Sequence, residues 1–110
     1  MELKAISDLH NLIDWVLPII AKFPRNFRYS LGVRVENLLY DILELLIKAK
    51  YSQKKDSYLS KANINFEIIR HLTRIWSQRG FISIRQYEAL SNQINLIGAQ
   101  IGGWKKKDGK

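Results

Sequence analysis

The chain has 110 residues, enough for one hydrophobic core, and 46% of them are hydrophobic, which excludes a wholly disordered polymer. It contains no cysteine, so disulfides, thiol catalysis and thiolate metal sites are excluded together. Eighteen Lys and Arg against ten Asp and Glu leave a net charge of +8 at pH 7.

That charge is uneven. Residues 1–50 hold seven basic and six acidic side chains, net +1, whereas residues 51–110 hold eleven and four, net +7. A field of this sign attracts polyanions, of which nucleic acid is the commonest large one. A soluble protein that is basic for no such reason is the alternative. The opening MELKAISDLH has no basic stretch followed by an apolar one, so no signal peptide is expected there. The nearby run WVLPIIA is far short of the ~20 residues of a membrane helix. A bacterial or phage cytoplasm fits the lack of cysteine without following from it.

In the first segment Ile6, Leu9, Ile13, Val16, Ile20 and Phe23 recur at alternating spacings of three and four, the pattern of one helix face. Pro18 lies inside it and predicts a kink, because it has no N–H for the carbonyl of Asp14. Pro24 predicts a stop, because it disfavours helical geometry at Phe23. The turn that follows, KFPRNFRYSLGVR, carries Lys22, Arg25, Arg28 and Arg34 interleaved with Phe23, Phe27 and Tyr29.

A second helix is expected from about Ser30, as N-cap, to about Tyr51, with Val35, Leu38, Ile42, Leu45 and Ala49 inward. A third spans roughly Asp56 to Arg79, with Leu59, Ala62, Phe66, Ile69 and Trp76 inward and Thr73 interrupting the apolar series. Gly80 suits a left-handed C-terminal position. The fourth opens on Ser83-x-x-Gln86, a capping box, after which Tyr87, Leu90, Ile94, Ile97, Ile101 and Trp104 step by three and four. The fold class is therefore all-α: an up-and-down antiparallel four-helix bundle over residues 1–104. Residues 105–110, KKKDGK, form a basic tail expected to fray.

Apolar residues outnumber what one interior needs. Leu12, Trp15 and Ile19 lie off the main seam of the first helix, Leu39, Leu43 and Leu46 off that of the second, and Ile64, Ile68, Leu72 and Ile75 form a second series on the third. They imply either a wide core or a subunit interface, and an interface is favoured. Gly98 and Gly102, four apart, suit close approach of another backbone or a loosened helix end.

No catalytic constellation emerges. A di-iron bundle requires Glu-x-x-His pairs on two helices, whereas Glu67 and His71 stand four apart and once only; a surface contact explains them better. Asp41 and Glu44 read as a solvated helix edge. No metal, cofactor or catalytic residue is assigned, and a non-enzyme is expected. The cations are more informative. Arg70 and Arg74 are one turn apart on the third helix, with Lys61 two to three turns back. Arg25 and Arg28 emerge from the first turn, and Arg34 sits at the start of the second helix, where the helix dipole disfavours a cation. An external phosphate supplies a reason for it. Phe27 or Tyr29 would stack on an unpaired base, or the phenylalanines plug the end of the bundle.

The stretches FPRNFRYSLGVRVENLL, LLIKAKYS, INFEIIRHLTRIW and ISIRQYEALSNQINLIGAQIGGWKKK together resemble a known family. It comprises the small four-helix-bundle accessory variability determinant (Avd) proteins of diversity-generating retroelements and the related proteins of 23S rRNA intervening sequences. The resemblance runs from about Ile13 to Lys106, and is sharpest at Pro24-Arg25 and at Ile97-Gly98 through Gly102-Gly103-Trp104. It implies a homopentameric barrel that associates with a reverse transcriptase and its template RNA and supports mutagenic retrohoming. It also implies roles in nucleic-acid (RNA or DNA) or enzyme contact for Arg70 and Arg74, and less directly for Arg25. The shorter N-terminus and different second helix leave a second branch open: an oligomeric assembly protein of the intervening-sequence type, with a mainly protein-interaction role.

Overall fold

Each periodic stretch becomes a helix in the computed structural model, which describes residues 2–108 and the side chains of residues 4–107. The elements are α1 (Glu2–Ala21), a single turn α2 (Arg25–Phe27), a π-helical turn (Arg28–Gly32), α3 (Val33–Tyr51), α4 (Asp56–Gln78) and α5 (Ile84–Asp108). There is no strand among the described residues. Helices α1 and α4 each pack against both α3 and α5, so the four long helices form a four-helix bundle of 45 × 23 × 20 Å. Short connections require neighbours in sequence to run in opposite directions. None of the described helices is long and apolar enough to cross a membrane.

The inward series close one core. Leu9, Val16, Ile42, Leu59, Ala62, Ile69, Trp76, Ile94 and Ile101 are fully buried. Thr73 also enters this core; its Oγ1 donates to the carbonyl of Arg70 at 3.2 Å, which satisfies the hydroxyl within its own helix. The surplus apolar residues divide. Leu12, Leu39 and Leu46 are buried, and Trp15, Ile19 and Leu43 pack half-buried against the core, so on α1 and α3 the second stripe widens the core. On α4 the second stripe stays outside: Ile64 is 60% exposed, Ile68 and Ile75 37% each.

The helix ends follow local chemistry. α1 continues through Pro18 rather than stopping there, and ends before Pro24, where a stop is expected. Gly80 has φ +76° and ends α4 in a Schellman motif, with Phe81 N–H donating to the Trp76 carbonyl at 2.9 Å and Gly80 N–H to Ser77 at 3.0 Å. The capping box is formed: Ser83 N–H donates to Gln86 Oε1 at 2.8 Å and Gln86 N–H to Ser83 Oγ at 3.0 Å. At the other end, the Lys55 ammonium donates to the carbonyls of Ala49 and Ser52, both at 2.8 Å, where α3 presents its negative end. Between α1 and α5, Gln100 Nε2 donates to Asp8 Oδ2 at 2.8 Å.

Two boundaries differ from expectation. Ser30 is not an N-cap: it lies inside the π-helical turn, because the chain resumes helical geometry at Arg25, directly after Pro24. α5 does not end at Trp104 but continues to Asp108, and Lys105 reaches Asp56 Oδ1 at 3.9 Å. Cations in a last helical turn favour its continuation. The last two residues of the KKKDGK tail lie outside the described residues.

Candidate nucleic-acid interface

Pro24 sets up the turn between α1 and α3. Its carbonyl accepts from Phe27 N–H at 2.9 Å and Arg28 N–H at 3.0 Å. The chain then widens into the π-helical turn, closed by Val33 N–H donating to the Arg28 carbonyl. This segment lies tight against α1: a Cβ on Gly32 would stand 2.6 Å from Ile20 Cγ2. Glycine permits the approach, and the approach carries the rings of the turn onto the end of the bundle.

Those rings plug that end. Phe23 is buried, edge-on to Trp76 at 4.8 Å and against Phe81 at 5.2 Å, and Phe27 packs on Phe81 at 5.3 Å. Trp76 Nε1–H donates to the Leu31 carbonyl at 2.9 Å, which ties α4 to the π-helical turn. Tyr29 alone of these aromatics stays outside, 72% exposed.

The six expected contact residues fare differently. Arg25 and Arg34 are exposed and have no side-chain hydrogen bond or ion pair among the described residues. Arg28 is folded inward: its Nη2 donates to the Phe23 carbonyl at 3.4 Å, and its Nε is buried without a partner. Arg70 and Arg74 do not act as a matched pair. Arg70 donates from Nη1 to Glu67 Oε1 at 2.9 Å and from Nη2 to Asn95 Oδ1 at 3.0 Å, so it braces α4 against α5. The same Nη2 stands 3.6 Å from where a Gly98 Cβ would be, an ordinary van der Waals distance, so Arg70 lies along Gly98 without needing the glycine. Arg74, one turn on, is exposed and has no such partner among the described residues. Lys61 is exposed too, but nine helical residues before Arg70 place it about half a turn round α4, on the opposite flank.

The bundle assembles a cation group that no single segment announces. Its up-and-down path brings residues 22–34 and residues 79–85 to the same end. The first segment contributes Lys22, Arg25, Arg28 and Arg34, the second Arg79 and Arg85, and neither contains Asp or Glu. Arg79 lies over the Phe27 ring at 5.3 Å, a cation–π contact that holds it against the plug. Arg79 and Arg85 are the residues that reading along the chain passed over. The signal was present, because an antiparallel bundle requires the first and third connections to share an end. All seven arginines of the chain lie in the half of the bundle at this end, and among the described lysines only Lys22 joins them. Guanidinium groups offer planar, bidentate donors to phosphate, which ammonium groups do not.

Two further ion pairs lie on the surface. His71 Nε2 lies 3.6 Å from Glu67 Oε2, with both side chains exposed, and Glu44 pairs with Lys48 at 3.0 Å. No group of metal-ligating side chains occurs among the described residues. A family model described as bAvd-like matches the chain over residues 4–108. No curated protein and no solved structure matches it.

Proposed function

The chain belongs to the bAvd-like family, and from that premise we propose that it is a basic accessory protein of a diversity-generating retroelement rather than an enzyme. In this reading it binds nucleic acid, associates with the element's reverse transcriptase and template RNA in the cytoplasm, and supports mutagenic retrohoming. The observation that carries the proposal is the end of the bundle to which residues 22–34 and 79–85 bring six cations and no carboxylate of their own, against Glu36 in the first turn of α3 and Glu88 just beyond that of α5. Such a surface attracts phosphate over distances of about a Debye length, ~8 Å at physiological salt. Arg25, Arg34 and Arg74 are its outward contacts; Arg28 and Arg70 supply field and rigidity.

The test is binding of a fluorescent single-stranded RNA across a salt series. Affinity is expected to fall steeply between ~50 and ~200 mM salt, and the combined substitution Arg25→Glu, Arg34→Glu, Arg74→Glu is expected to flatten the slope by ~0.7 per lost phosphate contact. Absence of a complex at low salt overturns the reading.

A second reading, an oligomer that serves mainly protein contacts, is favoured by the exposed apolar series Ile64, Ile68 and Ile75 on α4. Isolated exposed apolar residues are unremarkable, but a continuous stripe on one helix suits an interface. The two readings are compatible if the stripe joins copies into the homopentamer that the family implies. Sedimentation of the wild type and of an Ile64→Glu, Ile68→Glu variant separates them: a pentamer that becomes monomeric supports that assembly, and an unchanged mass excludes this stripe from it.

A further inference from the structure

Beside the arginine end lies a pocket of about 230 Å³ between the last turn of α1 and the first turn of α5. It is lined by Pro18, Ile19, Lys22, Phe81 and Gln86. We propose that this pocket receives one unpaired base of a single-stranded nucleic acid whose phosphates lie on the neighbouring cations; the proposal rests on the nucleic-acid reading above and specifies its ligand.

The size is the first argument. Pockets for drug-sized molecules start at ~300 Å³, so this one suits a single ring system. The lining is the second. Pro18, Ile19 and Phe81 offer apolar walls, and Phe81 is backed by Phe23 and Phe27 at 5.2 and 5.3 Å, which holds that wall in place. Gln86 is held by its capping box: its Oε1 accepts the Ser83 N–H, which leaves the Nε2 hydrogens for the carbonyl oxygen of a base. Lys22 is exposed at the rim and has no side-chain partner among the described residues, so its ammonium is available to a flanking phosphate. A paired base is buried within its duplex and would not reach such a site. None of the lining residues carries a carboxylate, which fits a strand that carries a negative charge at every residue.

The test compares a short RNA with the same sugar-phosphate backbone made abasic, which preserves the charge and removes the rings. The intact RNA is expected to bind about tenfold more tightly, within the range of one stacked base. Ile19→Trp, which fills the pocket, is expected to abolish that difference while leaving the salt dependence unchanged. Gln86→Glu keeps an acceptor for the capping box but replaces the amide donors with a carboxylate, and is expected to abolish the difference too, with a further loss for both backbones from the added negative charge. Circular dichroism confirms that each variant folds. Equal binding of the two backbones to the wild type, as an acidic-peptide site would give, overturns the pocket and leaves the general reading intact. A tenfold difference that survives both substitutions also overturns it. Failure of both backbones to bind at low salt overturns the nucleic-acid reading itself.

Discussion

The guanidinium of Arg70 donates to Asn95 Oδ1 at 3.0 Å, across the seam between α4 and α5. With its second bond to Glu67, this arginine is a strut between helices rather than a side chain held out to a ligand. Arg70→Ala is expected to cost ~0.5–1.5 kcal/mol in denaturant unfolding and to change RNA affinity little. Arg74→Glu is expected to do the reverse. A larger loss of affinity from the first substitution than from the second would return Arg70 to the interface.

Gly32 is required by contact rather than by backbone angle. Its replacement by alanine places a methyl group 2.6 Å from Ile20 Cγ2, so either the Ile20 side chain or the π-helical turn must give way. Overpacking of this kind costs about 1–3 kcal/mol. Thermal or denaturant unfolding of Gly32→Ala measures it, and a variant as stable as the wild type would mean that the turn relaxes without strain.

Trp76→Phe retains a ring against Phe23 but removes the donor to the Leu31 carbonyl. Loss of this part-buried hydrogen bond costs about 0.5–1.5 kcal/mol. The same loss loosens the π-helical turn, so amide exchange in residues 28–33 is expected to accelerate more than exchange in the middle of α3. Equal acceleration throughout would assign the effect to the core instead.

Tyr40 supplies the pH dependence. Its hydroxyl donates to Glu36 Oε2 at 2.7 Å, and this bond, then burial and the Glu36 charge, raise its pKa above the ordinary 10.0. The neutral phenol is the form favoured by folding, so the contribution is fully present below pH ~10 and is lost as pH rises through the folded-state value. Absorbance titration of the five tyrosines is expected to lose a late-ionising component in Tyr40→Phe. The stability difference between wild type and variant is expected to shrink at high pH. A gap that widens above pH 10 would contradict the sign.

Much of the fold was legible along the chain because helix periodicity and caps are local. The spacing from Leu59 to Trp76 placed the inward face of α4, the Ser83–Gln86 box marked the start of α5, and Gly80 marked the end of α4. The start of the second helix was misplaced at Ser30. A π-helical turn depends on a tertiary contact, the approach of Gly32 to Ile20, and leaves no mark in propensity. For Leu12, Leu39 and Leu46 spacing leaves a wide core and an interface both open, and it is packing that buries them, because the width of a buried stripe depends on how many neighbours a helix has.

By itself the sequence determined the helices, their faces, the excess of positive charge and the resemblance to a family, all of which follow from residue type and spacing. Only the tertiary structure decided which cations face outward. Arg70 and Arg74 are equivalent in spacing, yet one meets Asn95 on another helix and the other does not. Arg28 turned inward because the plug offered it a carbonyl, and Arg79 and Arg85 joined the first turn because the bundle folds both connections to one end. Side-chain partners and end-to-end proximity are properties of packing between distant segments, and no local pattern encodes them.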